Sequence, residues 1–175
     1  MKQSHALPML AAAAALAFTL PAFAAETGGC KSFAWSIATE LQWIKAADIQ
    51  AVKSGAKLPS PPAKAMALSL EPMSAVTFPV PPTGKLKPAG DVYGGVVEFE
   101  GPSSAPGSYQ VTMETAGWVD VIQDGKALKS TAHSGKSDCD GVRKTIRFNL
   151  DPGPFTVEFS NIKKDAIKFA IRQAD

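Results

Sequence analysis

Two groups of residues in this sequence have types and spacings that could do chemistry. The first is the polar run from Ser130 to Asp140, which gathers His133, Asp138, Cys139 and Asp140. Such a set suits either a metal site or a catalytic loop, but a cysteine held in a disulfide is neither a thiolate ligand nor a nucleophile. A solvated loop pinned by that disulfide is the weightier reading. The second group is Trp118 and Asp120. In a strand they share one side, opposite Val119 and Val121. If the valines face a core, an aromatic plate and a hydrogen-bonding carboxylate stand outward together. Trp118, Asp120 and His133 are therefore the ligand-binding candidates, and no residue is assigned a catalytic role.

Several chemistries fail on residue inventory. A non-haem iron centre of the ring-cleaving oxygenase kind needs two histidines and a carboxylate, and only His133 follows the first 24 residues. A structural zinc site lacks enough Cys and His. The stretch Gly135-Lys136-Ser137 ends like a phosphate-binding loop, but Ser130 stands where its first glycine belongs. No Gly-x-Ser-x-Gly elbow supports a hydrolase triad. The acidic residues Glu98, Glu100, Glu114, Asp120 and Asp124 fall at alternating outward or turn positions, where solvation explains them better than glycoside hydrolysis does. Calcium suits the available ligands better than a transition metal. Asp138 and Asp140 are its weak candidates, with Asp151 beside them, because Asp138-Cys139-Asp140-Gly141 is a fragment of a calcium loop. No other cofactor is expected.

The compartment follows from the start of the chain. Lys2, an apolar run from Leu10 to Leu20, and then Ala22-Phe23-Ala24 read as a signal peptide over 1–24, cleaved after Ala24. The apolar run is bracketed by Pro8 and Pro21 and is too short for a membrane span. The expected location is therefore the periplasm or the exterior, with no transmembrane segment in the mature chain. In that setting the two cysteines, Cys30 and Cys139, are expected to pair, tying the N-terminal helical end to the loop before the 142–150 strand. Lipid attachment at Cys30 is the lesser alternative, since Thr27 occupies the position where an aliphatic residue belongs. The formal net charge is +2, and no basic group runs beyond two residues, as at Lys163-Lys164 beside Asp165. Nucleic acid and anionic membrane are accordingly not expected as partners.

The elements that must position these residues show mainly period-two patterning. Residues 33–55 are the exception: Phe33, Ile37, Leu41 and Ile44 share a helical face, Ser36 serves as cap and Gly55 as stop. Trp35 and Trp43 lie off that stripe. Strand alternation follows at Met66–Leu70, Val76–Val80, Val97–Phe99, Tyr109–Met113, Trp118–Ile122, Ile146–Leu150, Phe155–Phe159 and Ile167–Ile171, with Asp124-Gly125 as a two-residue hairpin turn. The expected fold is mainly β: an antiparallel β-sandwich of jelly-roll type preceded by one short N-terminal helix. A helical segment over 25–56 would pack with a sandwich over 57–175 as one unit.

The run Pro106 to Val111, with its glycine and then a tyrosine entering a strand, resembles secreted jelly-roll modules. So does Ile146 to Phe159, with an Asp-Pro-Gly turn between apolar strands. Both resemble pre-peptidase C-terminal-type and carbohydrate-binding β-sandwiches over about the last 70 residues. The whole chain is similar to small exported proteins of Proteobacteria. The resemblance implies a binding module, with a saccharide, an envelope component or a partner protein as ligand. An envelope structural or accessory subunit that binds only protein is the second expectation, and a small enzyme using the His133 loop the third.

Overall fold

Alternating apolar residues carry most of the chain into strands, and the hydrophobic effect closes those strands into two facing sheets. The computed structural model describes residues 28–86, 90–102 and 104–175. The expected signal peptide lies outside them. After a 3-10 turn at Gly29–Ser32 comes one helix, α1 (Ala38–Lys45), then β1 (Gln50–Lys53), β2 (Ala56–Leu58), β3 (Met66–Ser69) and β4 (Glu71–Pro72). The chain continues through β5 (Tyr93–Phe99), β6 (Gly107–Met113), β7 (Trp118–Gln123) and β8 (Lys126–Ala127). It ends with β9 (Ala132–Gly135), β10 (Lys144–Leu150), β11 (Phe155–Ile162) and β12 (Ala166–Gln173). Sheet one runs β1-β3-β12-β6-β10-β9. Sheet two runs β2-β5-β11-β7-β8, with β4 added on β5.

The fold is the expected mainly β sandwich with one short helix, but its sheets are mixed. The pairs β1–β3 and β2–β5 are parallel, and all the others are antiparallel. The parallel pairs arise at one corner. There the chain leaves sheet one after β1, turns through Gly55 at φ +84°, and enters sheet two as β2. Gly55 donates its amide to Val96 O, and the Ser54 hydroxyl accepts the Val96 amide. Between the sheets lies the main core, including Leu68, Val97, Val111, Val121, Phe148, Val157, Phe159 and Phe169. Phe159 and Phe169 meet across it with ring centroids 4.7 Å apart. At the β7–β8 hairpin, Asp124 and Gly125 both take positive φ (52° and 70°), as that turn dipeptide predicts.

The helix expected over 33–55 is confined to Ala38–Lys45. Gly55 serves as the corner of the sandwich instead of a helix stop, because burying Val52 in the main core pulls 50–53 into a strand. Ser36 Oγ accepts the Ala38 amide (3.4 Å), but the cap position itself belongs to Ile37, with no side-chain cap. Phe33, Ile37 and Ile44 do share a buried face, and it packs with Cys139, Val142 and Ala170 on the outer side of sheet one. Trp35 and Trp43 pack at the margin of this second cluster, with the Arg147 guanidinium 4.3 Å over the Trp35 ring. The Cys30–Cys139 disulfide forms as expected and ties the 3-10 turn to the loop before β10.

The strand expected at Val76–Val80 does not form, although its alternation survives. Val76, Phe78 and Val80 are half-buried while Ser74, Thr77 and Pro79 are exposed. Pro79, Pro81 and Pro82 have no N–H to contribute to a ladder, so the segment lies as an extended arm over the outer face of sheet two. The run from Ser130 to Asp140 is not wholly a loop either: Ala132–Gly135 pairs with β10 as an edge strand.

Candidate functional site

Beside one end of the sandwich, β7 and β8 of sheet two stand apart from β9 and β10 of sheet one. Between them is a cavity of about 370 Å³. Its wall is apolar, from Ala127, Leu128, Ile146 and Phe148. Its polar groups come from Trp118, Asp120, Lys129, Ser130, His133 and Lys144, with Thr83 beside them. Strand geometry puts them there. Register sets His133 of β9 directly across from Ile146 of β10, and Lys144 keeps the parity of Ile146 and Phe148. The three sequence candidates, Trp118, Asp120 and His133, thus line one cavity.

Trp118 and Asp120 do share the side opposite the buried Val119 and Val121. They are not simply presented to solvent, however. The arm crosses them, and Asp120 is only 4% exposed. Its carboxylate accepts three hydrogen bonds: from the Thr83 amide (3.0 Å), from the Thr83 hydroxyl, and from Trp118 Nε1 (3.0 Å). The same indole N–H also reaches Thr83 Oγ1 at 3.1 Å. Asp120 therefore anchors the arm and fixes the indole, which leaves it poorly placed to act as a free acceptor or a base. Gly84 makes this crossing possible, since a Cβ there would lie 2.5 Å from the indole ring.

Of the two lysines lining the cavity, Lys129 and Lys144, it is Lys144 that meets the indole. Its ammonium sits 5.1 Å from the Trp118 ring centroid and donates to Gly117 O at 3.4 Å. Burial lowers its pKa, the Asp120 charge opposes that fall, and Arg143 adds to it. Directly opposite Asp120 on the neighbouring strand is Glu158, 1% exposed, whose Oε1 accepts the Val80 amide of the arm (3.2 Å). Its Oε2 is buried without a hydrogen-bond partner. Desolvation raises the Glu158 pKa to about 7, partly offset by the Val80 amide and reinforced by Asp120. Glu158 and Lys144 escaped sequence reasoning. Parity gave no signal for Glu158, which sits between Val157 and Phe159 like any solvated residue, while the arm's Val80 amide bonds to it.

The weak calcium candidates are engaged by the chain's own donors. Asp138 accepts the Gly29 amide (3.2 Å), and Asp140 pairs with Lys45 (2.8 Å), which lowers the Asp140 pKa. Among the described residues no three His, Cys, Asp or Glu side chains are grouped to hold a metal. Asp151 lies in the turn after β10, its backbone bonded to the Gln123 side chain.

Comparison with known proteins adds little to this geometry. No family model matches the chain, and no curated protein matches it. Among solved structures it is similar to a β-glucosidase from Paenibacillus barengoltzii at 12% identity and a TM-score of 0.27, covering 71% of this chain and 13% of that enzyme. A likeness at that level says nothing about what this cavity holds.

Proposed function

We propose that the protein is a non-catalytic, exported binding module that takes a saccharide in the cavity beside Trp118. The observation that carries this reading is the gathering of Trp118, His133 and Lys144 around one apolar-walled cavity of about 370 Å³. That volume is within the range of small-ligand pockets, where a few polar groups orient a ligand against apolar walls. The Trp118 ring offers a surface for sugar C–H groups, and the Lys144 and His133 nitrogens offer hydrogen bonds to hydroxyls. Export to the periplasm or beyond is supported by the leader pattern and by the disulfide. Docking of a partner protein is less favoured: among the described residues only Leu86 and Trp118 are large, exposed hydrophobics, too few for an apolar patch.

The test is the melting temperature of the disulfide-intact protein across a saccharide panel, alongside Leu128→Trp, which fills the cavity. A ligand at a hundredfold excess over its dissociation constant stabilises the native state by about 2.7 kcal/mol, a shift of several degrees. Leu128→Trp should abolish the shift while leaving the unliganded transition cooperative. If no saccharide moves the transition, the reading fails and the search passes to protein ligands.

A further inference from the structure

Trp118 lines a second cavity as well, of about 570 Å³, so its indole borders both spaces. Here it is joined by Lys85, Lys163, Gly117 and Asn161. Lys144 links the two spaces: it lines the first, and its ammonium lies over the shared indole and donates to the carbonyl of Gly117, which lines the second. The end of the arm is fixed beside the second cavity. Asn161 Nδ2 donates to Lys85 O (3.2 Å), and Asn161 itself sits at positive φ (57°), where β11 slips register between Phe159 and Ile162. That irregularity brings the arm's Lys85 and the Lys163 of the β11–β12 turn to one cavity. It also gives a role to Lys163, the first of the Lys163-Lys164 pair.

The charge balance of the two spaces is one-sided. Lys129 and Lys144 line the first and Lys85 and Lys163 the second, while among the described residues the sole acidic lining residue is Asp120, already bonded to the arm and the indole. Asp165, two residues beyond Lys163, lines neither cavity. A neutral ligand would leave these ammonium groups to water. A ligand with anionic substituents along a chain that also offers apolar C–H faces would use both the lysines and the indole.

We propose that the ligand is an acidic oligosaccharide laid across Trp118, with one residue in the first cavity and its anionic groups facing Lys85 and Lys163 in the second. This rests on the saccharide-module reading and adds the charge and the length of the ligand.

Calorimetric titration with tetragalacturonate, and with its methyl ester as the uncharged counterpart of the same backbone, tests both parts. The acid should bind at least tenfold more tightly than the ester, with an advantage that shrinks towards ~0.5 M salt as the ion pairs are screened. Lys85→Gln combined with Lys163→Gln, both exposed positions, should weaken the acid roughly tenfold and leave the ester unchanged. Leu128→Trp should weaken acid and ester alike. Equal binding of acid and ester, or indifference to the lysine double variant, overturns the anionic assignment and leaves the module reading standing. Failure of both probes and of every neutral saccharide overturns the two together.

Discussion

The two outer faces of the sandwich are covered in different ways. Over sheet one lies α1, which forms its own hydrogen-bonded ladder beyond its first turn and follows a 3-10 turn stapled to the sheet's loop by Cys30–Cys139. Beneath it, Glu40 is fully buried and accepts from Gln110 Nε2 and from Arg172 Nε (2.8 Å), while Arg172 also forks onto Asp175. Over sheet two lies an arm with no internal ladder. Two of its free amides, Val80 and Thr83, are taken by carboxylates of the sheet, Glu158 and Asp120. Met73 and Phe78 pack onto Gly94, where a Cβ would lie 2.7 Å from the Met73 sulfur. The helix is a cover that forms its own structure. The arm is a cover whose structure is supplied by side chains underneath, so its hold depends on the state of two acids. Both proposed ligand cavities border the arm, at Thr83 and Lys85, and neither borders the helix.

The largest effect in this contrast belongs to the staple. Replacing both cysteines, Cys30→Ser with Cys139→Ser, releases a constraint between residues 109 apart in sequence. It should lower the unfolding free energy by about 4–5 kcal/mol in urea. Amide exchange in α1 should quicken more than exchange in the arm. An unchanged urea midpoint would show that the helix is held by its buried contacts alone. Asp120→Ala comes next, with an expected loss of about 2–3 kcal/mol, because Thr83 N, Thr83 Oγ1 and Trp118 Nε1 lose their shared acceptor. Here the damage should be local. Limited proteolysis should cut within 74–86 well before the sandwich melts, and Trp118 emission should shift. Cleavage no faster than in the unaltered protein would mean that Met73 and Phe78 suffice to hold the arm.

The contrast also explains what the sequence could and could not reveal. Period-two alternation located β3, β6, β7, β10, β11 and β12, because each buries one face in a common core and alternation reports that burial directly. Trp118, Asp120 and His133 were legible as polar or aromatic exceptions within that pattern, and register then brought them to one cavity. The strand at 50–53 was hidden inside a helical pattern, since Val52 is its only buried residue. The arm was misread for the opposite reason: Val76, Phe78 and Val80 alternate because they do lie on a sheet, but prolines deny them a ladder. The burial of Glu40 and Glu158 had no local signal at all. Each is buried by an element far away in sequence: Glu40 where α1 meets β6 and β12, Glu158 by the arm some 78 residues before it.

Glu158 provides the subtlest way to separate the two covers. Its folded pKa is raised from 4.5 to about 7, chiefly by desolvation. The native state therefore keeps a proton that the unfolded chain releases, and between those values stability falls as pH rises. The full contribution is present below about pH 4.5, is lost through pH 7, and is followed by a lower plateau. After allowance for solvent screening the loss should be about 1–2 kcal/mol, a drop of a few degrees in melting temperature between pH 5 and pH 8. Glu158→Gln cannot ionise, so its melting temperature should be flatter across the same window, and arm cleavage should lose its pH dependence too. Exchange in α1 should show no such step, because nothing in its cover titrates with Glu158. If the glutamine variant keeps the original slope, the carboxyl opposite Asp120 is not what couples the arm to pH, and the arm's hold rests on Asp120 and Gly94 instead.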